Sequence, residues 1–234
     1  MFDKKINILK QAENGVGLIT IEATVPTGFE LVAKDECLKL FGPDTTIYDY
    51  RGSIFFNIPI KDYNKVSKLR CIDHLFLVGP YFENVEVFCK NNPNFENTDV
   101  IKQNDLKLIG ELAEKGHMDT TLKAWREMIN FKGNAFPTKE EHLNYKVAVE
   151  NKTEDVDDTK KVLKFRATCY RSGSHTFSSM EAATVFGGKL QDNFHWVVDL
   201  SDFDLNVVLN ISGNAAYIAL ALTKESMHKR NITH

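Results

Sequence analysis

Cysteine and proline are scarce in this chain, four and six in 234 residues, and the cysteine pattern already excludes some chemistry. Cys37, Cys71, Cys89 and Cys169 form no Cys-x-x-Cys pair and have no histidine at metal-ligand spacing, so neither a zinc ribbon nor a dithiol redox centre is encoded and no metal ligands are expected. No run approaches the roughly 20 apolar residues of a membrane span, and Met1 to Lys10 lacks the apolar centre of a signal peptide. A soluble, intracellular protein with no membrane partner is the expectation. Also missing are a Gly-x-Gly-x-x-Gly turn after a strand, a Walker loop, a Gly-x-Ser-x-Gly elbow, internal repeats and low-complexity tracts. Catalytic residues are therefore not expected in this chain.

What is present is unevenly charged. The formal net charge is −3, from 29 Lys+Arg and 32 Asp+Glu, too acidic for a surface that traps polyanions everywhere. From Lys161 onward, however, 8 basic residues face 6 acidic ones. A basic side, then, belongs to the C-terminal part.

The length and the 43% apolar content suit two units of roughly 100 to 150 residues or less. Leu18 to Val25 alternates apolar with polar, and Pro26 ends it. Thr27-Gly28-Phe29-Glu30 has the Thr-x-x-Glu form of a capping box and opens a helix carrying Phe29, Val32, Ala33, Cys37 and Leu40 at helical spacing. Thr45 to Tyr50 and Ser53 to Ile60 form a hairpin across Arg51-Gly52, with Ile54, Phe56 and Ile58 on one face. A second helix over Asp62 to Cys71 and a strand over His74 to Phe82 complete β-α-β-β-α-β, the ferredoxin-like arrangement, assigned to residues 1–97. Such a fold hosts many functions and names none.

Residues 98–234 read as a second domain. Helices are predicted over Asp99 to His117 and Asp119 to Phe131, then a charged insertion at about 133–161. Within it His142 to Glu150 alternates as a short strand, and Asn151 to Lys161 reads as a flexible linker. A strand over Val162 to Tyr170 and a loop follow, then a helix over Met180 to Phe194 capped by Ser178 or Ser179. A hairpin pairs Leu205 to Ile211 with Ala216 to Leu222 across Ser212-Gly213-Asn214. The expected fold class is α+β, a ferredoxin-like domain followed by an α/β domain.

Candidate functional residues concentrate late in the chain. Asn92-Pro93-Asn94-Phe95 resembles a base-holding methyltransferase tetrapeptide but lacks its second proline and any upstream glycine-rich strand, and is read as a turn. Arg171-Ser172-Gly173-Ser174-His175, with Thr176, Ser178 and Ser179, precedes a helix N-terminus and collects the hydroxyls, amides and cations that suit a phosphate. An ordinary polar loop before a capped helix is the competing reading. Tyr170 and Phe177 flank the loop and could stack on unpaired bases, with core packing equally open to Phe177. Lys224, His228, Lys229 and Arg230 make a basic exit or simply a solvated terminus.

Several blocks together carry a resemblance. They are Val162 to Cys169, Met180-Glu181-Ala182-Ala183 with Phe186-Gly187-Gly188 and Gln191-Asp192, Phe203-Asp204 with Leu209-Asn210-Ile211, and Ala221-Leu222-Thr223 with Arg230-Asn231-Ile232-Thr233-His234. With Ala23 to Glu30, Arg51-Gly52 and, more faintly, Leu122 to Trp125, these resemble the THUMP domain-containing tRNA guanine-N2-methyltransferases over nearly the whole chain outside 133–161. The resemblance implies a ferredoxin-like plus THUMP platform holding the acceptor stem and 3′ CCA end of tRNA. It also implies a Rossmann methyltransferase domain that lies beyond His234 and is absent here, S-adenosylmethionine as cofactor of the full-length enzyme and none in this chain, and a Trm112-type activator subunit bound through the missing domain. A cytoplasmic location is implied, with the nucleus as a second compartment. The binding role falls on Arg166, Arg171, His175, Lys189, Lys229 and Arg230, reading phosphate and ribose. The rival function is an adaptor that orients a partner or a catalytic domain without touching RNA.

Overall fold

The structure, a computed structural model, describes residues 7–12, 17–87, 98–150 and 158–227. The chain divides into two compact units, 1–79 with 219–234, and 80–218. Both boundaries fall inside strands.

In the first unit, β1 (Leu18–Thr24), α1 (Glu30–Phe41), β2 (Ile47–Tyr50), β3 (Ser53–Pro59), a 3-10 segment (Ile60–Lys68) and β4 (Leu75–Phe82) follow in order. Strand β1 lies antiparallel between β3 and β4, and β2 pairs antiparallel with β3. The expected one-sided alternation in β3 gives way to burial of every residue from Ser53 to Ile58. Its second face is covered because the helical residues 7–12 bury Ile8 and Leu9 there, and the buried Asn57 amide donates to the Ile8 carbonyl (2.8 Å) while its oxygen accepts from Thr20 (2.7 Å). A buried amide satisfied on both sides ties the N-terminal turn to the sheet.

Two local expectations fail here for identifiable reasons. Thr27 does not cap α1; Phe29 occupies the N-cap with no side-chain bond, and the Glu30 carboxylate instead accepts the N–H groups of Gly28 and Gly52 (both 2.8 Å). Those two amides sit at positive-φ glycines, and hydrogen bonding by Gly52 first, then the nearby backbone, holds the Glu30 carboxyl below its usual range. The second helix is only the 3-10 segment. The carboxylate of Glu36 takes the N–H groups of Arg70 (2.9 Å) and Cys71 (3.0 Å) and so fixes the chain after that segment as a loop.

In the second unit, α2 (Thr98–Lys115), α3 (Asp119–Met128) and α4 (Lys139–Glu150) precede β5 (Lys164–Ser172), α5 (Ser179–Phe194), β6 (Val197–Val198), β7 (Leu205–Ser212) and β8 (Ala215–Ala221). The short strand expected at His142 to Glu150 is the helix α4. Thr138 and Glu141 make a reciprocal capping box, the Thr138 N–H to the carboxylate (2.7 Å) and the Glu141 N–H to the hydroxyl (3.2 Å), and that helix-start signal outweighs the period-two pattern of Leu143, Tyr145, Val147 and Val149. Helix α5 begins as expected, with Ser178 and Glu181 forming the same box. It lies along α2 and on β5, an approach that small residues permit. A Cβ on Gly187 would come within 3.0 Å of the Ala167 side chain, and one on Gly110 within 3.2 Å of Lys189.

All eight strands join in one sheet of order β2-β3-β1-β4-β8-β7-β5-β6. The α+β expectation of a ferredoxin-like domain followed by a separate α/β domain is corrected by this: the sheet is single and mixed, β5 pairing parallel to both β6 and β7 while β1 to β4 pair antiparallel. Local periodicity finds strands but says nothing of which strand, remote in sequence, extends an open edge.

Trp196 closes the core under β5. It is fully buried, stacks on Phe194 (4.5 Å), meets Phe165 edge-on (5.3 Å) and donates its indole N–H to the Ala135 carbonyl (2.9 Å). Trp196→Ala is expected to lower stability by about 3–5 kcal/mol in urea unfolding; a loss under about 1 kcal/mol would contradict this packing.

Candidate nucleic-acid interface

Strand β5 alternates its faces. Ala167 and the buried Phe165 and Cys169 lie toward α5 and the core. Lys164, Arg166, Thr168 and Tyr170 occupy the opposite face, since side chains alternate along a strand. Burial pushes the Cys169 thiol up to about 11, which makes it a packing residue, not a nucleophile.

At its end β5 turns into the loop singled out by sequence. Gly173 adopts φ +106 against Gly213, whose own φ is +60; a Cβ on Gly173 would lie 3.4 Å from both the Gly213 nitrogen and the His175 ring. His175 is 2% exposed and stacks on the buried Phe177 (5.3 Å). Its Nε2 lies 2.8 Å from the Gly213 carbonyl oxygen, and its Nδ1 3.4 Å from Arg171 Nη1. Both contacts are satisfied when Nε2–H donates to the carbonyl and Nδ1 accepts from the guanidinium. The histidine therefore joins the loop to the β7–β8 turn and steers Arg171 from inside.

The helix N-terminus behind the loop is already filled. The Glu181 carboxylate accepts from Lys102 and from the N–H and hydroxyl of Ser178, and these bonds, Lys102 first, hold it down at about 2. An anion at this terminus would meet a resident carboxylate. Thr176 donates to the buried Asp105 of α2, a second strut under the loop.

Other cations differ in how they are engaged. Lys189 pairs with Glu114 (3.1 Å). Lys164 pairs with Asp202 (2.9 Å) and Asp199 (3.4 Å), where the N–H groups of Asp202 and Ser201 hold Asp199 at about 2. Among the described residues, Arg166 and Arg171 have no carboxylate partner: Arg166 places its guanidinium over the Phe203 ring at 4.0 Å, and its Nε is buried with no acceptor. Lys229 and Arg230 lie outside the described residues. The structure thus brings Arg171 and His175 together, sets Arg166 on the same strand but on its other face, and engages Lys189 elsewhere. Sequence reasoning missed Asp105, Lys102, Phe203 and Asn206; the polar breaks at Asn206 and Asn210 in an otherwise apolar strand were the available signal.

S-adenosylmethionine does not fit the glycine-bearing strand–loop–helix at 172–179. Gly173 is closed off by Gly213 and His175, and the helix end by Glu181. No group of three or more His, Cys, Asp or Glu among the described residues is placed to hold a metal, and no described helix is long and apolar enough to cross a membrane.

Residues 140–221 match the THUMP domain, which covers the loop, α5 and the β7–β8 hairpin, so the class is that of THUMP-domain proteins. Over 93% of its length the chain is 34% identical to the tRNA (guanine(6)-N(2))-methyltransferase THUMP3 of Homo sapiens, and over 92% it is 34% identical to that of Bos taurus. The chain belongs to the family of THUMP domain-containing tRNA guanine-N2-methyltransferases. It spans about half the length of these relatives, 52% and 51%.

Its fold is shared with TrmN from Thermus thermophilus (TM-score 0.53, 18% identity, 91% of this chain and 48% of that one). It is shared also with SMU.472, solved with SAH bound (0.53, 14%, 92% and 44%), and with a possible methylase from Clostridium difficile 630 (0.52, 14%, 92% and 44%). The expectation that no Rossmann methyltransferase domain is present is corrected by these likenesses: the eight-stranded mixed sheet with flanking helices is a fold shared with a putative methyltransferase and a possible methylase.

The Glu181 bonds fix a pH dependence. Its carboxyl falls from 4.5 to about 2 in the folded chain, so the stabilisation is complete above 4.5 and is lost as pH drops toward 2. The thermal midpoint of Glu181→Gln should fall less steeply over that interval than that of the unaltered protein; parallel curves would refute the assignment.

Proposed function

We propose that this chain is the tRNA-gripping part of a tRNA guanine-N2-methyltransferase, engaging the acceptor stem and the 3′ CCA end. The observation that carries the reading is the contrast among cations: Lys102, Lys164 and Lys189 each hold a carboxylate, whereas Arg166 and Arg171 hold none among the described residues. Arg171, held from within by His175, takes phosphate at the loop. His175 acts through Arg171 and not by direct contact. Lys189 contributes once Glu114 is displaced, and Lys229 with Arg230 extends the grip. Methyl transfer from S-adenosylmethionine, and a Trm112-type activator subunit, belong in this reading to the part of the relatives' length outside the match. The site of action is cytoplasmic, with a nuclear pool.

One observation favours the adaptor reading. Leu143, Val147 and Val149 of α4 stand more than half exposed, as a protein-contact surface would.

Gel shifts with tRNA carrying and lacking its 3′ CCA separate the two. Tighter binding of the intact tRNA is expected, weakening by roughly 0.7–0.9 log units per phosphate contact for each tenfold rise in salt. Arg171→Ala should weaken binding about tenfold and reduce the salt slope by about 1. Equal, salt-insensitive failure to bind either tRNA would overturn the RNA-gripping reading and favour the adaptor.

A further inference from the structure

Among the described residues His175 is the one buried histidine, and its contacts admit a single protonation state. The Gly213 carbonyl, 2.8 Å from Nε2, can only accept, so Nε2 carries the hydrogen. The Arg171 guanidinium, whose Nη1 lies 3.4 Å from Nδ1, can only donate, so Nδ1 must present its lone pair. Both conditions hold only for a neutral ring. Turning that ring over would set carbon atoms where the two nitrogens now lie. Nor can it slide aside, because Phe177 stacks on one face (5.3 Å) and Gly173 crowds its Cε1, leaving a Cβ there only 3.4 Å away.

A proton added at Nδ1 turns this nitrogen into a donor aimed at another donor and sets two positive charges against each other. Their repulsion is weakly screened where water is excluded. The charged groups on the elements around the ring are Arg171 of β5, Asp105 and Lys102 of α2, and Glu181 of α5. The β7–β8 turn, Ser212-Gly213-Asn214, carries none. Lys102 and Glu181 hold each other, and Asp105 accepts from Thr176. Arg171 is the charged group in direct contact with the ring. The same loop and turn are also joined by the Gly213 N–H to the Ser172 carbonyl (3.0 Å) and by the Ser172 hydroxyl to Ser212 (3.0 Å), so a strain at His175 is felt on both sides of the junction.

We infer that His175 is a proton-sensitive latch. Neutral, it fastens the loop after β5 to the β7–β8 turn and sets the direction of Arg171. On taking one proton from solvent at Nδ1 it gives up the Arg171 contact, and loop and turn come apart. No bond other than N–H forms or breaks. Opening is coupled to proton uptake, so the closed form loses ground as pH falls. The inference concerns the conformation of the loop and needs no ligand, which makes it independent of the RNA-gripping reading.

The test uses the full chain, 15N-labelled at histidine and free of RNA. The His175 ring, identified by its proximity to Phe177, should show a bare Nδ1 and a protonated Nε2 at about pH 8; lowering the pH to about 5 covers the range in which histidines change charge. Over that range the ring should gain a proton. Amide exchange in 171–177 and 212–214, taken relative to His175→Gln at each pH, should quicken by up to about tenfold per pH unit, the slope of one proton. Exchange in α3 should match that of the variant throughout. Arg171→Gln removes the opposing cation, so its loop should not quicken when the ring is protonated. A ring protonated at Nδ1 at the start, a ring that stays uncharged to the end of the titration, or exchange that runs parallel in parent and His175→Gln would overturn the latch. The first two outcomes are read in the unaltered protein and hold even where the glutamine variant does not fold. Whether tRNA binds this chain changes none of them.

Discussion

The parallel ladder between β5 and β7 is the constraint on which the rest depends. It runs in register from Phe165 opposite Leu205 to Ser172 opposite Ser212, and it sets at once where the loop after β5 ends, which turn it meets, and which residues of the two strands share a face. Parallel strands cannot be joined by a tight turn, so the chain must cross over between them, and α5 provides that crossing. The helix begins where the loop ends. Its capping box, its salt bridge to Lys102 and the Asp105–Thr176 bond from α2 together hold a polar segment that would otherwise have few reasons to be ordered.

Electrostatics then decides what the ordered segment offers. The chain is net acidic, and most cations of the second unit named above already face a carboxylate at 4 Å or less. Their attraction for a further anion is correspondingly reduced. Two arginines remain whose donors are supported by neutral groups, Arg171 by an imidazole and Arg166 by a phenyl ring. Arginine suits such places because its planar fork keeps its charge while resting on an aromatic face. On the proposed reading, a grip built from so few contacts is modest alone.

Legibility in the sequence followed the range of the interaction. Strands β1 to β5, β7 and β8, and helices α1, α2, α3 and α5, are visible because their signals are local. The helix α4 was misread as a strand although Thr138 and Glu141 announced it, while the similar Thr27 and Glu30 pattern announced a cap that Gly28 and Gly52 took over. The pairing of all eight strands into one mixed sheet lay beyond any window of the sequence. So did the site's interior: His175 was picked out for its polar company, yet its ring points inward because Gly213 offers a carbonyl from 38 residues away. The partnering of Lys189 by Glu114, 75 residues apart, was equally hidden.

Hydrogen exchange with and without tRNA tests the central claim most directly, because it reads the β5–loop–β7 assembly in the unaltered protein. The account predicts slowed exchange in peptides covering 164–178 and 205–214 when tRNA is added, with α3 unchanged. Unchanged exchange in those two segments, under conditions where tRNA is demonstrably bound, would contradict it.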